Sequence, residues 1–122
     1  MKKISILLLS VLTLVGCNRN RIPELTEEEQ NQIVADARVL LSKYTEQADI
    51  PENEWPNSFI KFEPVIVKHS YSGIVIIRYK FVSHESGFMI PKKKGMVLES
   101  DQSVGYEKIS NDLYYYWIPN EH

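Results

Sequence analysis

Few residues of this chain have both the type and the spacing that catalysis requires. The histidines are His69, His84 and His122, and the sequence has neither a Gly-x-Ser-x-Gly turn nor a cysteine close to a histidine. His69 and His84 could meet across a hairpin with Glu85 beside them, as a weak metal site or the centre of a small hydrolase. Polar residues at turns and strand ends are the simpler interpretation. We therefore predict no catalytic residue, no metal ligand and no cofactor.

The single cysteine, Cys17, has a different setting. It ends a segment in which Lys2 and Lys3 precede an apolar run from Ile4 to Val15. A helix needs about 20 apolar residues to span a bilayer, so this run is too short to span and has the length of a signal-peptide core. The pattern predicts an export signal over residues 1–16.

The end of that segment, Leu14-Val15-Gly16-Cys17, resembles the lipobox of bacterial lipoproteins. The resemblance covers the export signal alone. It implies cleavage after Gly16, diacylglyceryl attachment to the Cys17 sulfur and often acylation of the new amino terminus, which together anchor a protein stably. An aspartate after the cysteine commonly retains lipoproteins in the inner membrane. Because Asn18 stands there, the resemblance implies the outer membrane, facing the periplasm, in a Gram-negative host. An ordinary secretory signal with a chance cysteine is the alternative.

The length and charge of the chain limit the remaining possibilities. Without residues 1–16 the chain has 122 − 16 = 106 residues, which we divide into a tether over 17–26 and a single domain over 27–122. Residues 24–54 carry nine acidic side chains against Arg38 and Lys43. This charge, together with export, argues against a nucleic-acid partner and would suit a basic protein. A solvated helix face is the alternative explanation of the acids.

The apolar pattern predicts an α+β fold. Thr26 to Glu29 has the capping-box pattern, and apolar residues at helical spacing follow, which predicts a helix over 27–48. Alternating or apolar runs then predict strands over 59–68, 74–82, 88–91, 96–99, 104–109 and 113–118. Because the connections between these strands are short, we expect an antiparallel meander of five to six strands with the helix packed on one face.

The last strand suggests a binding surface because it carries aromatic residues on both faces. Alternation places Tyr115 and Trp117 on one face, which we assign to the core, and Tyr114 and Tyr116 on the other. One helix covers only one face, so Tyr114 and Tyr116 are predicted to be exposed binding residues. The alternative is that loops, or the segment around Trp55, cover the second face.

A compact basic loop, Lys92, Lys93 and Lys94, is the second candidate binding surface. It could contact anionic lipid headgroups or an acidic partner. The alternative is a hairpin tip whose lysines protect a sheet edge.

These features predict a membrane-anchored, non-catalytic protein-binding module of the cell envelope. It would act as an inhibitor, in the manner of an immunity protein, or as an assembly accessory. A small envelope hydrolase using His69 or His84 is one alternative, and a cell-wall glycan binder using Tyr and Trp side chains is another. The sequence leaves the oligomeric state open.

Overall fold

The computed structural model describes residues 23–81 and 84–118 of the chain. The helical elements are α1 (Glu27–Lys43), a 3-10 turn (Glu52–Glu54) and the short helix α2 (Asn57–Ile60). The strands are β1 (Ile66–His69), β2 (Gly73–Phe81), β3 (His84–Pro91), β4 (Gly105–Ser110) and β5 (Leu113–Ile118). The α+β class is therefore confirmed. The predicted signal peptide and lipobox lie outside the described residues. Within the described part, no helix has the length and apolar character needed to cross a bilayer.

Helix α1 begins with the predicted capping box. The Thr26 amide donates to Glu29 Oε1 at 2.8 Å, and the Glu29 amide donates to Thr26 Oγ1 at 3.1 Å. The helix ends at Lys43, five residues earlier than predicted, because Tyr44 turns into an extended conformation. The Tyr44 carbonyl accepts a hydrogen bond from Nδ1 of the buried His69 at 2.8 Å. A long-range contact to β1 thus replaces the helical bond that this carbonyl would otherwise accept.

The sheet is antiparallel throughout, but the predicted meander is wrong. The strand order is β1-β2-β3-β5-β4, so β4 lies outside β5, at the sheet edge. The chain crosses from β3 to β4 through residues 92–104, where the predicted strand over 96–99 does not form. Leu98 and Val104 of this crossing segment pack on the apolar face that the helix leaves open. The gain from covering that face outweighs pairing the segment as a further strand.

The predicted strand over 59–68 is only partly correct. Residues Asn57–Ile60 form helix α2 after Pro56, and pairing starts at Ile66. The outer edge of β1 is covered by the segment 47–50: the Ile50 amide donates to the Val67 carbonyl at 2.8 Å, and the His69 amide donates to the Ala48 carbonyl at 2.9 Å. This contact satisfies backbone groups that an edge strand would otherwise expose.

The sheet buries apolar side chains on both faces. The helix-side core consists of Ile33, Ala37, Leu40, Ile50, Phe59, Val67, Ile74, Ile76, Phe88, Ile90, Leu113 and Tyr115. The second core consists of Val75, Ile77, Met89, Tyr114 and Tyr116, with Leu98, Val104 and Tyr106 packed against it. The alternation along β2 and β5 sends neighbouring residues to opposite cores, as expected for a strand covered on both sides.

Candidate functional site

The structure buries the two tyrosines that were predicted to bind a partner. Tyr114 and Tyr116 are each only 3% exposed, so the prediction of an exposed aromatic sheet face is wrong. The Tyr116 hydroxyl donates to Glu85 Oε2 at 2.6 Å, and burial, reinforced by this bond, raises the pKa of the Tyr116 phenol. The crossing segment 92–104 covers the face instead, which was the alternative left open. Trp55 does not take part, because it packs on the helix-side core.

Trp117 was assigned to the core but is 40% exposed, whereas its neighbour Tyr115 is buried as predicted. The indole lies directly over Gly105 of β4, where a β-carbon would come within 2.2 Å of the ring. Trp117 therefore covers the backbone of the edge strand with one face and meets solvent with the other. It is the exposed aromatic of β5, on the face opposite to the expected one.

The lysine loop is tied to the helix rather than projecting from a hairpin of paired strands. Lys92 forms an ion pair with Glu46, while Lys93 and Lys94 are exposed. The Arg38 guanidinium donates to the carbonyls of Pro91 and Lys92 at 2.8 and 3.0 Å. Of the three lysines, only Lys93 and Lys94 remain available to a lipid headgroup or an acidic partner.

The structure does not bring the histidines together. His69 pairs with Ile74 at one end of β2, whereas His84 pairs with Phe81 at the other. Seven residues of strand separate these positions by roughly 23 Å, which excludes a shared site. His69 is also 4% exposed. Among the described residues, no group of three or more potential ligands could hold a metal ion.

One residue spacing that is known from catalytic sites was missed in the sequence. Ser58 and Lys61 form a Ser-x-x-Lys pattern at helix α2, the spacing of a serine nucleophile with a lysine base. The structure gives the two side chains different partners. Ser58 Oγ donates to Asp36 Oδ2 at 2.6 Å, and Lys61 Nζ donates to Glu29 Oε2 at 2.6 Å. Because each side chain is bound to a carboxylate of α1 and neither is bound to the other, this pair does not form a nucleophile and its base.

The described residues contain an open groove of about 710 Å³ around the connection from the 3-10 turn to β1. Its lining residues are Glu52, Asn53, Trp55, Ile60, Glu63 and Pro64. We call this the acidic groove. The indole of Trp55 is fixed by a hydrogen bond from Nε1 to the Ile50 carbonyl at 2.9 Å. Pro56 precedes α2, so Ile60 ends this single helical turn and Glu63 follows it.

The carboxylates around the acidic groove differ in whether they have partners. Glu54 accepts hydrogen bonds from Lys43 and Tyr44. Both bonds lower the pKa of the Glu54 carboxyl, and the bond from Lys43 has the larger effect. Glu52 and Glu63 form no side-chain hydrogen bond or ion pair with any part of the chain that the structure describes. The groove therefore combines an apolar surface, a fixed aromatic ring and two carboxylates that have no cationic partner among the described residues.

The connection that forms this groove was not predicted from the sequence. Residues 52 and 54 were counted only as part of the acidic half of the chain, and a strand was expected across Ile60 and Glu63. The prolines at 56 and 64 were the available signal, because each interrupts regular structure at one side of the short helix.

No family model matches this sequence, and no curated protein or solved structure is significantly similar to it.

Proposed function

We propose that this protein is a non-catalytic protein-binding module, tethered to the bacterial envelope through lipid on Cys17, and that it binds its partner in the acidic groove. The observation that carries the proposal is the groove itself. It offers Trp55 and the 46% exposed Ile60 beside carboxylates without a partner. An apolar centre bordered by polar groups is the usual anatomy of a protein-binding surface, and tryptophan is enriched among residues that dominate binding energy.

The described residues support this function over a hydrolase. The two histidines lie at opposite ends of β2, and Ser58 and Lys61 are each bound to a carboxylate of α1. We expect His69→Ala and His84→Ala, alone or together, to leave the biological activity intact in complementation of a deletion strain at matched protein levels. Loss of activity by a well-folded His84→Ala variant would favour the hydrolase.

Site-specific photocrosslinking in cells tests the groove. A benzoylphenylalanine replacing Ile60 lies in the groove, whereas one replacing Val39 lies on the outer face of α1, where the native side chain is 61% exposed. We expect a discrete crosslinked protein from position 60 and none from position 39. Equal crosslinking from both positions, or none from position 60, would contradict the proposal. Crosslinking of position 60 to glycan strands instead would favour the cell-wall alternative.

The anchor is tested separately. Cys17→Ser removes the sulfur that would carry the lipid, so the protein should lose acyl label and leave the membrane fraction. In a Gram-negative host, the wild-type protein should sediment with the outer membrane. Acyl label that persists in the Cys17→Ser variant would exclude this anchor without bearing on the groove.

A further inference from the structure

We infer that the acidic groove accepts an extended basic segment of the partner, with Lys or Arg side chains facing Glu52 and Glu63 and apolar side chains against Trp55 and Ile60. This inference rests on the proposed function and adds to it the chemistry of the ligand. An acidic peptide and an uncharged apolar peptide are the ligands that it excludes.

Glu52 and Glu63 have no cation of their own among the described residues. Lys61, two residues before Glu63, is bound to Glu29 at 2.6 Å, and Lys43 is bound to Glu54 at 2.7 Å. A cation arriving at Glu52 or Glu63 therefore displaces no ion pair within the described residues. Binding then gains a charge interaction without first breaking one.

The groove begins at the end of an acidic segment. Residues 24–54 have nine acids and two bases, and although lysines hold Glu29, Glu46 and Glu54, the other six acids have no lysine partner among the described residues. A surface with one dominant sign of charge attracts a ligand of the opposite sign and rejects a ligand of its own sign. A basic ligand is thus favoured during approach as well as in the bound state.

The backbone conformation of Glu63 allows its charge to be removed without disturbing the fold. Its backbone has φ +53°, in the left-handed region that glycine adopts at lower cost. The Glu63 amide donates to the Ile60 carbonyl at 2.8 Å and closes the turn after α2, an interaction that any non-proline residue can make. Glu63→Gly therefore removes the carboxylate while retaining the backbone geometry, which separates the charge from the fold.

A peptide titration tests the inference. The probe is acetyl-GLRLRLG-amide, and its control replaces both arginines with citrulline, which has the shape of arginine without its charge. The protein is the whole chain after the signal peptide, with Cys17→Ser, observed by two-dimensional nitrogen-proton NMR. We expect saturable shifts of the Trp55 indole and of the Glu52 and Glu63 amides with the arginine peptide. The citrulline peptide should bind about fivefold more weakly, the factor expected for two exposed charge pairs.

Variants locate the charge effect. Glu52→Gln with Glu63→Gln should weaken the arginine peptide about fivefold, whereas the matched control Glu107→Gln, an exposed acid of β4, should not change its affinity. Glu63→Gly should weaken binding without lowering the melting temperature.

Four results would overturn the inference: equal affinity for the citrulline peptide, unchanged affinity in the double variant, shifts confined to other surfaces, or no shifts at about 5 mM peptide, a concentration that detects even millimolar affinity. Because the titration uses purified protein, it is independent of the anchor and of the partner in cells. Peptide binding without crosslinking at position 60 would retain the chemistry of the groove and reject the envelope partner.

Discussion

Replacement of Tyr116 tests whether the second face of the sheet is a core that the fold needs. Tyr116 is 3% exposed and packs with Val75, Ile77 and Met89 beneath the crossing segment. Removing a buried aromatic side chain costs about 3–5 kcal/mol, which is a large part of the roughly 5–15 kcal/mol that stabilises a domain. We therefore expect Tyr116→Ala to lower the free energy of unfolding by about 3–5 kcal/mol.

Tyr116→Phe separates the hydroxyl from the ring. The hydroxyl donates to Glu85 Oε2 at 2.6 Å, and the Glu85 carboxylate has Lys80 at 3.5 Å as its other partner. Because a hydrogen bond to a charged group contributes about 1.5–3 kcal/mol, this variant should lose that amount or less and remain folded. Urea unfolding followed by tryptophan fluorescence measures both losses.

Tyr71→Ala is the matched control, since Tyr71 is 73% exposed and its loss should change the free energy of unfolding by no more than about 0.5 kcal/mol. If Tyr116→Ala behaved like Tyr71→Ala, the second face would be solvated and the burial described above would be refuted. Tyr116 would then regain its predicted place among exposed binding residues.

The remaining predictions concern the groove, the helix and the acidic turn. Glu63→Gly should raise the free energy of unfolding by about 0.5–1 kcal/mol in thermal melts, since relief of the left-handed backbone exceeds the added chain entropy. Arg38→Ala should lower it by about 2–3 kcal/mol in urea, because it leaves the buried Asp112 and two carbonyls without their cation. An NMR titration should find the pKa of the Glu54 carboxyl below its ordinary value, and this pKa should rise in Lys43→Met. Since the folded-state pKa is the lower one, the stabilisation from Glu54 is present above its unfolded-state pKa and is lost as the pH falls through the folded value.

The elements determined by local sequence were predicted well. The capping box at Thr26 and Glu29 formed as expected, and β5 has the predicted bounds, Leu113–Ile118. Both depend on residues close together in the chain: a hydroxyl three positions before a carboxylate, and a run of aromatic residues between two turns. The end of α1 was missed because Tyr44 bonds to His69, 25 positions later, and no local pattern contains that contact.

The strand order could not be predicted from the lengths of the connections. Leu98 and Val104 were assigned to two predicted strands, 96–99 and 104–109, yet both pack on the second face of the sheet instead. An apolar segment can join a sheet as a strand or pack over one face of it, and the outcome depends on which other segments can cover that face. A sequence pattern with a single helix left the second face without an obvious cover, and the same error led to the exposed assignment of Tyr114 and Tyr116.

The acidic groove was beyond prediction for a related reason. Trp55 and Pro56 were noticed as an aromatic pair, but the groove forms only because α2 interrupts the expected strand and because Glu63 adopts a left-handed backbone. A non-glycine residue in that conformation has no reliable sequence signature. Ser58 and Lys61 are the opposite case. Their spacing is a recognisable motif in the sequence, but the structure binds both side chains to α1 and no site forms there.

The way this fold is stabilised also restricts where it can bind a partner. Cys17 is the only cysteine, so the domain cannot be stabilised by an internal disulfide, and a domain of this size needs most of its apolar surface buried. It achieves this by covering one face of the sheet with α1 and the other with segment 92–104, while residues 47–50 cover the outer edge of β1. Most of each sheet face is then buried, and Phe81 and Trp117 stay exposed at strand ends. Among the described residues, the connection from 52 to 64 presents a fixed tryptophan together with carboxylates that the fold itself does not use.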